Sequence, residues 1–179
     1  MKRKFTFIGL IAAVVAVIAV AAAYAVSGGE LPDNRTSGHV VIQGVVGGDP
    51  GSTSIAVESW SWGVTQSGTI GGGGGGGAGE ATLQELKITK TIDKASPVLA
   101  RKCAQGQQIQ QVVLTVDRPG GSNGPYMQYT LEDVIISSVQ QAGSGDSIPM
   151  EEVTFIYNRI SLTYTTRAGE VVQADFENE

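Results

Sequence analysis

The sequence predicts a many-stranded antiparallel β protein with a single short helix, on three observations. From Val40 onward, short runs rich in Val, Ile, Thr and Tyr are separated by Gly, Pro, Asp and Asn, the make-up of strands and the turns that join them. Several runs also alternate. Val112, Leu114 and Val116 share one face while Thr115 and Asp117 share the other, and Leu83, Leu86 and Ile88 supply apolar positions against polar Gln84 and Lys87. Only one stretch, around residues 96–106, carries helical spacing and helix-end residues.

The chain opens with Met1-Lys2-Arg3-Lys4 and an uncharged apolar run from Phe5 to Val26 that contains Ala23-Tyr24-Ala25. A basic start, an apolar core and a small-x-small pattern read as an export signal over residues 1–26. The run also reaches the roughly 20 residues that span a bilayer, so an uncleaved membrane anchor is the alternative, and an apolar helix within the fold is a third. Either of the first two delivers the rest outside the cytoplasm, as a secreted, periplasmic or anchored body. No cysteine follows the run, which excludes a lipoprotein anchor. Residues 27–38 (SGGELPDNRTSG) read as a flexible tether, and 39–179 as one β domain.

Candidate strands are 39–46, 53–65, 81–91, 111–118, 126–140, 151–165 and 170–176. In the sixth, the apolar set Val153, Phe155, Tyr157 changes parity to Ile160, Leu162, Tyr164, as a bulge or a barrel corner would require. The helix is bounded by Ser96 as cap, Pro97 in the first turn and Gly106 at the end. Leu99 and Cys103 fall four apart on its apolar face, leaving Arg101 and Lys102 to solvent. Gly71 to Gly77 form a loop; no Gly-Lys-Ser/Thr follows them, so they are not a phosphate-binding loop.

Composition narrows the function classes. The 179 residues have a formal net charge of −5, and all three basic residues of the leader lie outside the β domain, so the remainder is more acidic still. Such a body is repelled by phosphate backbones and anionic lipid, which argues against nucleic acid and leaves the N-terminal segment as the only route to a membrane. Cys103 and His39 are the sole residues of their types. No intramolecular disulfide or multi-thiolate metal site can form, and no cofactor or metal is expected.

The residues that suggest chemistry fail on inspection. Gly145-Asp146-Ser147, preceded by His39, has the chain order of a serine-protease constellation, but Ile148-Pro149 follow the serine in place of glycine and His39 adjoins the tether. Glu132-Asp133 and Glu151-Glu152 are adjacent pairs whose members point to opposite sides of a strand, and both read as solvated. Trp60 and Trp62 lie two apart on one strand face and read as anchors of a core or subunit contact, with a sugar-stacking platform as the sharper alternative.

In order along the chain, Ser59 to Gly68 (SWSWGVTQSG), the glycine run, Gln84-Glu85-Leu86, Thr89 to Leu99 (TKTIDKASPVL), Ala104-Gln105-Gly106, Val113 to Val116, Thr130 to Val134 leading to Ser137-Ser138-Val139, Gly143-Ser144-Gly145 and the Phe155 to Tyr164 strand resemble the Hcp (haemolysin-coregulated protein) family. The resemblance covers about residues 40–166. It implies a small closed antiparallel β-barrel of two packed sheets with one short flanking helix. It also implies a homo-hexameric ring, stacked into the inner tube of the type VI secretion system, with small cargo proteins in the lumen and no active site. Ser144 matches a lumen-side loop serine and is the candidate cargo contact. The loop Val46 to Ser54 matches the ring-stacking loop, though it is shorter and has lost the charges usual there. Gly47, Gly48, Asp49 and Pro50 within it, with Trp60 and Trp62, are the candidate assembly residues. The leader departs from the family's leaderless cytosolic subunits, and the end of the chain after Thr166 looks truncated and acidic. An exported, surface-tethered or secreted binding module, or an extracellular fibre subunit, is therefore the alternative, and the module predicts a monomer.

Overall fold

Inward apolar positions recurring every second residue build the core, and their interruptions decide where the chain changes sheet. The computed structural model describes residues 37–47, 52–68, 81–118 and 125–178. The leader, the tether up to residue 36, Gly48, Asp49, Pro50 and the glycine run lie outside the described residues.

Eleven strands and one helix are described: β1 (Gly38–Ile42), β2 (Ser54–Val57), β3 (Ser59–Ser61), β4 (Val64–Gln66), β5 (Ala81–Leu83), β6 (Leu86–Thr91), α1 (Ser96–Gln105), β7 (Ile109–Asp117), β8 (Pro125–Ala142), β9 (Met150–Ile156), β10 (Arg159–Thr165) and β11 (Val171–Glu177). Every ladder is antiparallel. One sheet runs β2-β1-β7-β8-β10-β11, the other β3-β6-β9-β8, and β4 with β5 forms a separate hairpin. The buried rows include Val40 and Ile42, Val112, Leu114 and Val116, Leu131, Leu86 and Ile88, and Val153 and Phe155. Each such side chain contributes about 1.5–3 kcal/mol by leaving water.

Predicted strands 53–65, 81–91 and 151–165 are each broken in the structure. In the first, β2 pairs with β1 and β3 with β6, and the switch falls at Glu58, whose N–H donates to Thr89 O at 2.8 Å. In the third, the chain crosses from β9 to β10 at Tyr157-Asn158, where the parity change places a bulge or corner. β8 serves both sheets: its first part pairs with β7 and β10, its second with β9. It turns between them at Asp133, whose φ of 52° is left-handed, a region that Asp tolerates better than most residues. A register slip follows between Ile136 and Ser138.

The closed barrel implied by the resemblance is corrected: neither sheet closes on itself. Closure would need a continuous ladder through residues 54–61, and that segment exchanges partners at Glu58 instead. β2 stays an edge of one sheet and β3 an edge of the other.

Helix α1 has Pro97 in its first turn and Gly106 at φ 58° as its left-handed terminus, as read from the sequence. Two expectations for it are corrected. The N-cap is Ala95, with no side-chain capping bond, because the Ser96 hydroxyl is engaged elsewhere. Lys102 is buried, not solvated.

Ser96 belongs to a buried polar network. Inward positions of β6 read Leu86, Ile88, Lys90, so a lysine enters the core on the apolar face. Lys90 is 0% exposed, and its Nζ lies 2.9 Å from Glu151 Oε1, 2.9 Å from Asp93 Oδ1 and 2.6 Å from Thr91 O, which engage all three ammonium protons. Glu151, 1% exposed, also accepts from Ser96 Oγ at 2.7 Å and Gln141 Nε2 at 3.0 Å. The solvated reading of Glu151 is thereby corrected: three polar partners offset its desolvation, while Glu152 on the opposite face lies 3.9 Å from Lys87.

A second polar chain joins the breaks. Trp62 Nε1 donates to Tyr157 Oη at 2.5 Å, and Tyr157 Oη donates to Gln84 O at 2.7 Å. The indole also meets Tyr129 and Phe176 with ring centroids 6.2 and 5.9 Å away.

Removing Lys90 strands a buried carboxylate, so Lys90→Met should lower stability by about 3–5 kcal/mol in urea unfolding, and Lys90→Met with Glu151→Leu should recover part of that loss. Trp62→Ala removes an aromatic from three neighbours and is expected to cost about 3 kcal/mol in the same assay. Burial holds the Tyr157 phenol above its ordinary value, with the Trp62 N–H opposing in part. The unfolded chain then ionises first, near about pH 10, so this tyrosine's contribution is complete below that pH and is lost as pH rises through the folded value. Tyr157→Phe should be the less stable protein at neutral pH, and unfolding measured from pH 8 to 11 should show the gap narrowing.

Candidate assembly surfaces and loops

The β1–β2 connection is tight on its described side. Val45 N donates to Ile42 O at 3.0 Å and Gly47 N to Ser52 O at 2.9 Å. A Cβ on Gly47 would stand 2.0 Å from Ser54 O, so only glycine lets the two backbone segments approach. Val45 is buried and Val46 exposed, which leaves an apolar side chain outward at the loop's entrance. Gly48, Asp49 and Pro50 continue this loop outside the described residues.

Trp60 in β3 lies against Gly38, 3.5 Å from where a Cβ would be, and opposite Ile88. Trp62 follows the strand's end. Both indoles are half-buried and pack against the core, so both serve within the subunit first.

Ser144 sits in the exposed 143–149 loop between β8 and β9. The loop is a turn: Ser147 N donates to Ser144 O at 3.2 Å, and the two hydroxyls are 2.8 Å apart. Its base is held from below by the Gln141–Glu151 bond and by Ile92 N donating to Pro149 O at 3.1 Å. The buried Lys90 network thus fixes the platform from which Ser144 projects. Nothing in the sequence besides the inward parity of Lys90 signals that link.

The protease-like residues are not assembled. His39 Nδ1 lies 3.3 Å from Asp117 Oδ2 in the first sheet, whereas the Ser147 hydroxyl is paired with Ser144. Glu132 and Asp133 are separated in role as well: Glu132 meets Arg159 at 3.2 Å, and Asp133 accepts from Gln108 Nε2 at 3.2 Å. Arg159 also reaches Glu177 at 3.1 Å, and Glu177, then Glu132, raise its guanidinium pKa further. On the same face, Ser161 and Gln173 hold the Asp175 carboxyl below its usual range. Gln43, Gln110, Gln111, Glu132 and Asp133 line one open, polar depression. Among the described residues no group of three or more His, Cys, Asp or Glu could hold a metal ion, and no helix is long and apolar enough to cross a membrane. Cys103 is a free, half-buried thiol on α1.

The outer face of the first sheet is what remains. Across it, register aligns His39, Thr115, Gln128, Thr163 and Gln173 in one row, and Gln111, Glu132, Arg159 and Glu177 in another. Both rows are polar; Thr115 is buried among its neighbours and the others are half-buried or exposed.

Comparison with known proteins gives this architecture a family. The family described as "Type VI secretion system effector, Hcp" matches residues 33–164. Among curated proteins, Protein hcp1 of Pseudomonas aeruginosa is 42% identical over 93 residues, covering 51% of this chain and 57% of that one. The Major exported protein of the same organism is 30% identical over 95 residues, covering 48% and 55%. The aligned part thus spans little more than half the length of these two relatives. Solved structures match more completely. A type VI secretion system effector from Yersinia pestis superimposes with a TM-score of 0.65 at 26% identity, over 79% of this chain and 99% of that one. Hcp1 from Salmonella typhimurium does so with a TM-score of 0.67 at 26% identity, over 79% and 94%. With the two sheets and helix α1 among the described residues, and a family match over most of its length, the chain belongs to the Hcp family of the type VI secretion system.

Proposed function

We propose that this protein is a structural tube subunit of a type VI secretion system, secreted through that system and without enzymatic activity of its own. The observation that carries the reading is the near-complete coverage of solved Hcp-family chains by this one fold, at 94% of the Hcp1 chain from Salmonella typhimurium. In this reading copies assemble as hexameric rings that stack, and small cargo proteins occupy the lumen.

The candidate residues take the following parts. The Val46–Ser54 loop, with Gly47, Gly48, Asp49 and Pro50, reaches toward a neighbouring ring. Trp60 and Trp62 hold the region around β3 in the form that a neighbour meets. Ser144, on its braced turn, contacts cargo. The leader 1–26 is the part with no place in a cytosolic tube, and a chain that uses it would build its rings outside the cytoplasm.

Negative-stain electron microscopy with light scattering on the full chain tests the reading. Six-fold rings, or tubes of stacked rings at high concentration, are the expected result. A particle that stays monomeric at every concentration would overturn it in favour of a single-copy surface module.

A further inference from the structure

The polar depression at the bend of β8 has no part in the tube reading, and its lining is chemically selective. Gln43 just past β1, Gln110 and Gln111 in β7, and Glu132 and Asp133 in β8 line a space of about 410 Å³. Three strands converge there: Gln43 N donates to Gln111 O at 3.2 Å, Gln111 pairs with Glu132, and Ile109 pairs with Val134. Asp133, with its left-handed φ of 52°, falls between those last two pairs. A non-glycine residue held in that region carries a conformational cost, and such residues gather at binding sites.

The lining side chains offer donors and acceptors in one place. Gln43, Gln110 and Gln111 are exposed, and none of their amides bonds to another side chain among the described residues. Each amide supplies two N–H donors and one acceptor oxygen. Glu132 Oε2 lies 3.2 Å from Arg159, and Asp133 Oδ1 accepts from Gln108 Nε2 at 3.2 Å. Each carboxylate is thus steadied through one oxygen and turns the other to a ligand.

The same lining excludes most ligand chemistries. An anion would meet two carboxylates and no lysine or arginine in the lining, and an apolar ligand would find no aliphatic or aromatic side chain there. A metal ion would find two carboxylates, short of the three ligating groups that no cluster among the described residues supplies. An uncharged ligand rich in hydroxyls fits: its O–H groups donate to the carboxylate oxygens, and its oxygens accept from the glutamine amides.

We propose that this depression binds a saccharide through Gln43, Gln110, Gln111, Glu132 and Asp133. The site goes beyond the tube-subunit reading and does not depend on it. With no aromatic face in the lining for a sugar ring to stack on, hydrogen bonds alone set the affinity, which places the dissociation constant on the order of millimolar.

Saturation-transfer difference NMR on the full chain tests this, with maltotriose, cellotriose and chitotriose as uncharged probes. The expected result is saturable transfer to at least one probe, with an affinity that stays constant between low and high salt because the ligand carries no charge. Gln43→Ala combined with Gln110→Ala should weaken binding by about three- to tenfold for each hydrogen bond lost. Gln107→Ala, at an exposed position outside the lining, should leave it unchanged. Circular dichroism melts check that the variants fold. No saturable transfer from any probe, transfer undiminished in the double variant, or an affinity that falls steeply with salt would overturn the saccharide site and leave the tube reading standing.

Discussion

β8 is the constraint on which the other elements depend, because one strand of 18 residues has to complete two sheets that face in different directions. Its first part is flanked by β7 and β10 and its second by β9, and helix α1 packs against the strand. No straight strand can satisfy both ladders. The chain turns at Asp133 and slips register three residues later, and every neighbour that follows β8 must break at the same level. That is why β9 ends and β10 begins at Tyr157-Asn158, opposite the turn, with Asn158 N donating to Glu132 O.

The breaks are tied together rather than left open. Trp62 lies at the end of β3, Gln84 between β5 and β6, and Tyr157 between β9 and β10, and one chain of hydrogen bonds runs through all three. A break exposes backbone groups that lose water without gaining a ladder partner, which is costly when buried. Here Gln84 O, left free by the gap in its strand, is taken by the Tyr157 hydroxyl, and Gln84 N finds Gly63 O. Aromatic residues with a polar tip suit this position because they fill volume and supply a hydrogen bond at once.

The Lys90 network plays the corresponding part at the other end. It joins β6, the start of α1, the end of β8 and the start of β9 through one ammonium group and one carboxylate. An ion pair of this kind adds little net stability over an apolar replacement, but leaving either member alone is severe. Its consequence is positional: the turn that bears Ser144 and Asp146 rises from a base that cannot shift without exposing a charge to the core. A structural subunit depends on such rigidity, because contacts between copies act only where turns hold their places.

Strand content, the helix and its Pro97 and Gly106 ends, and the corner near Tyr157 were legible in the sequence, since each rests on local rules of period two, capping and parity. The ordered motifs from Ser59 onward likewise sufficed to recognise the family that the comparison then identified. Tertiary structure alone decided the rest. Whether two sheets close into a barrel depends on which partner residues 54–61 choose on either side of Glu58, and parity is identical for either choice. Adjacent glutamates look alike in a strand, yet Glu151 is buried and Glu152 exposed, because only the fold brings Lys90, Ser96 and Gln141 to one of them.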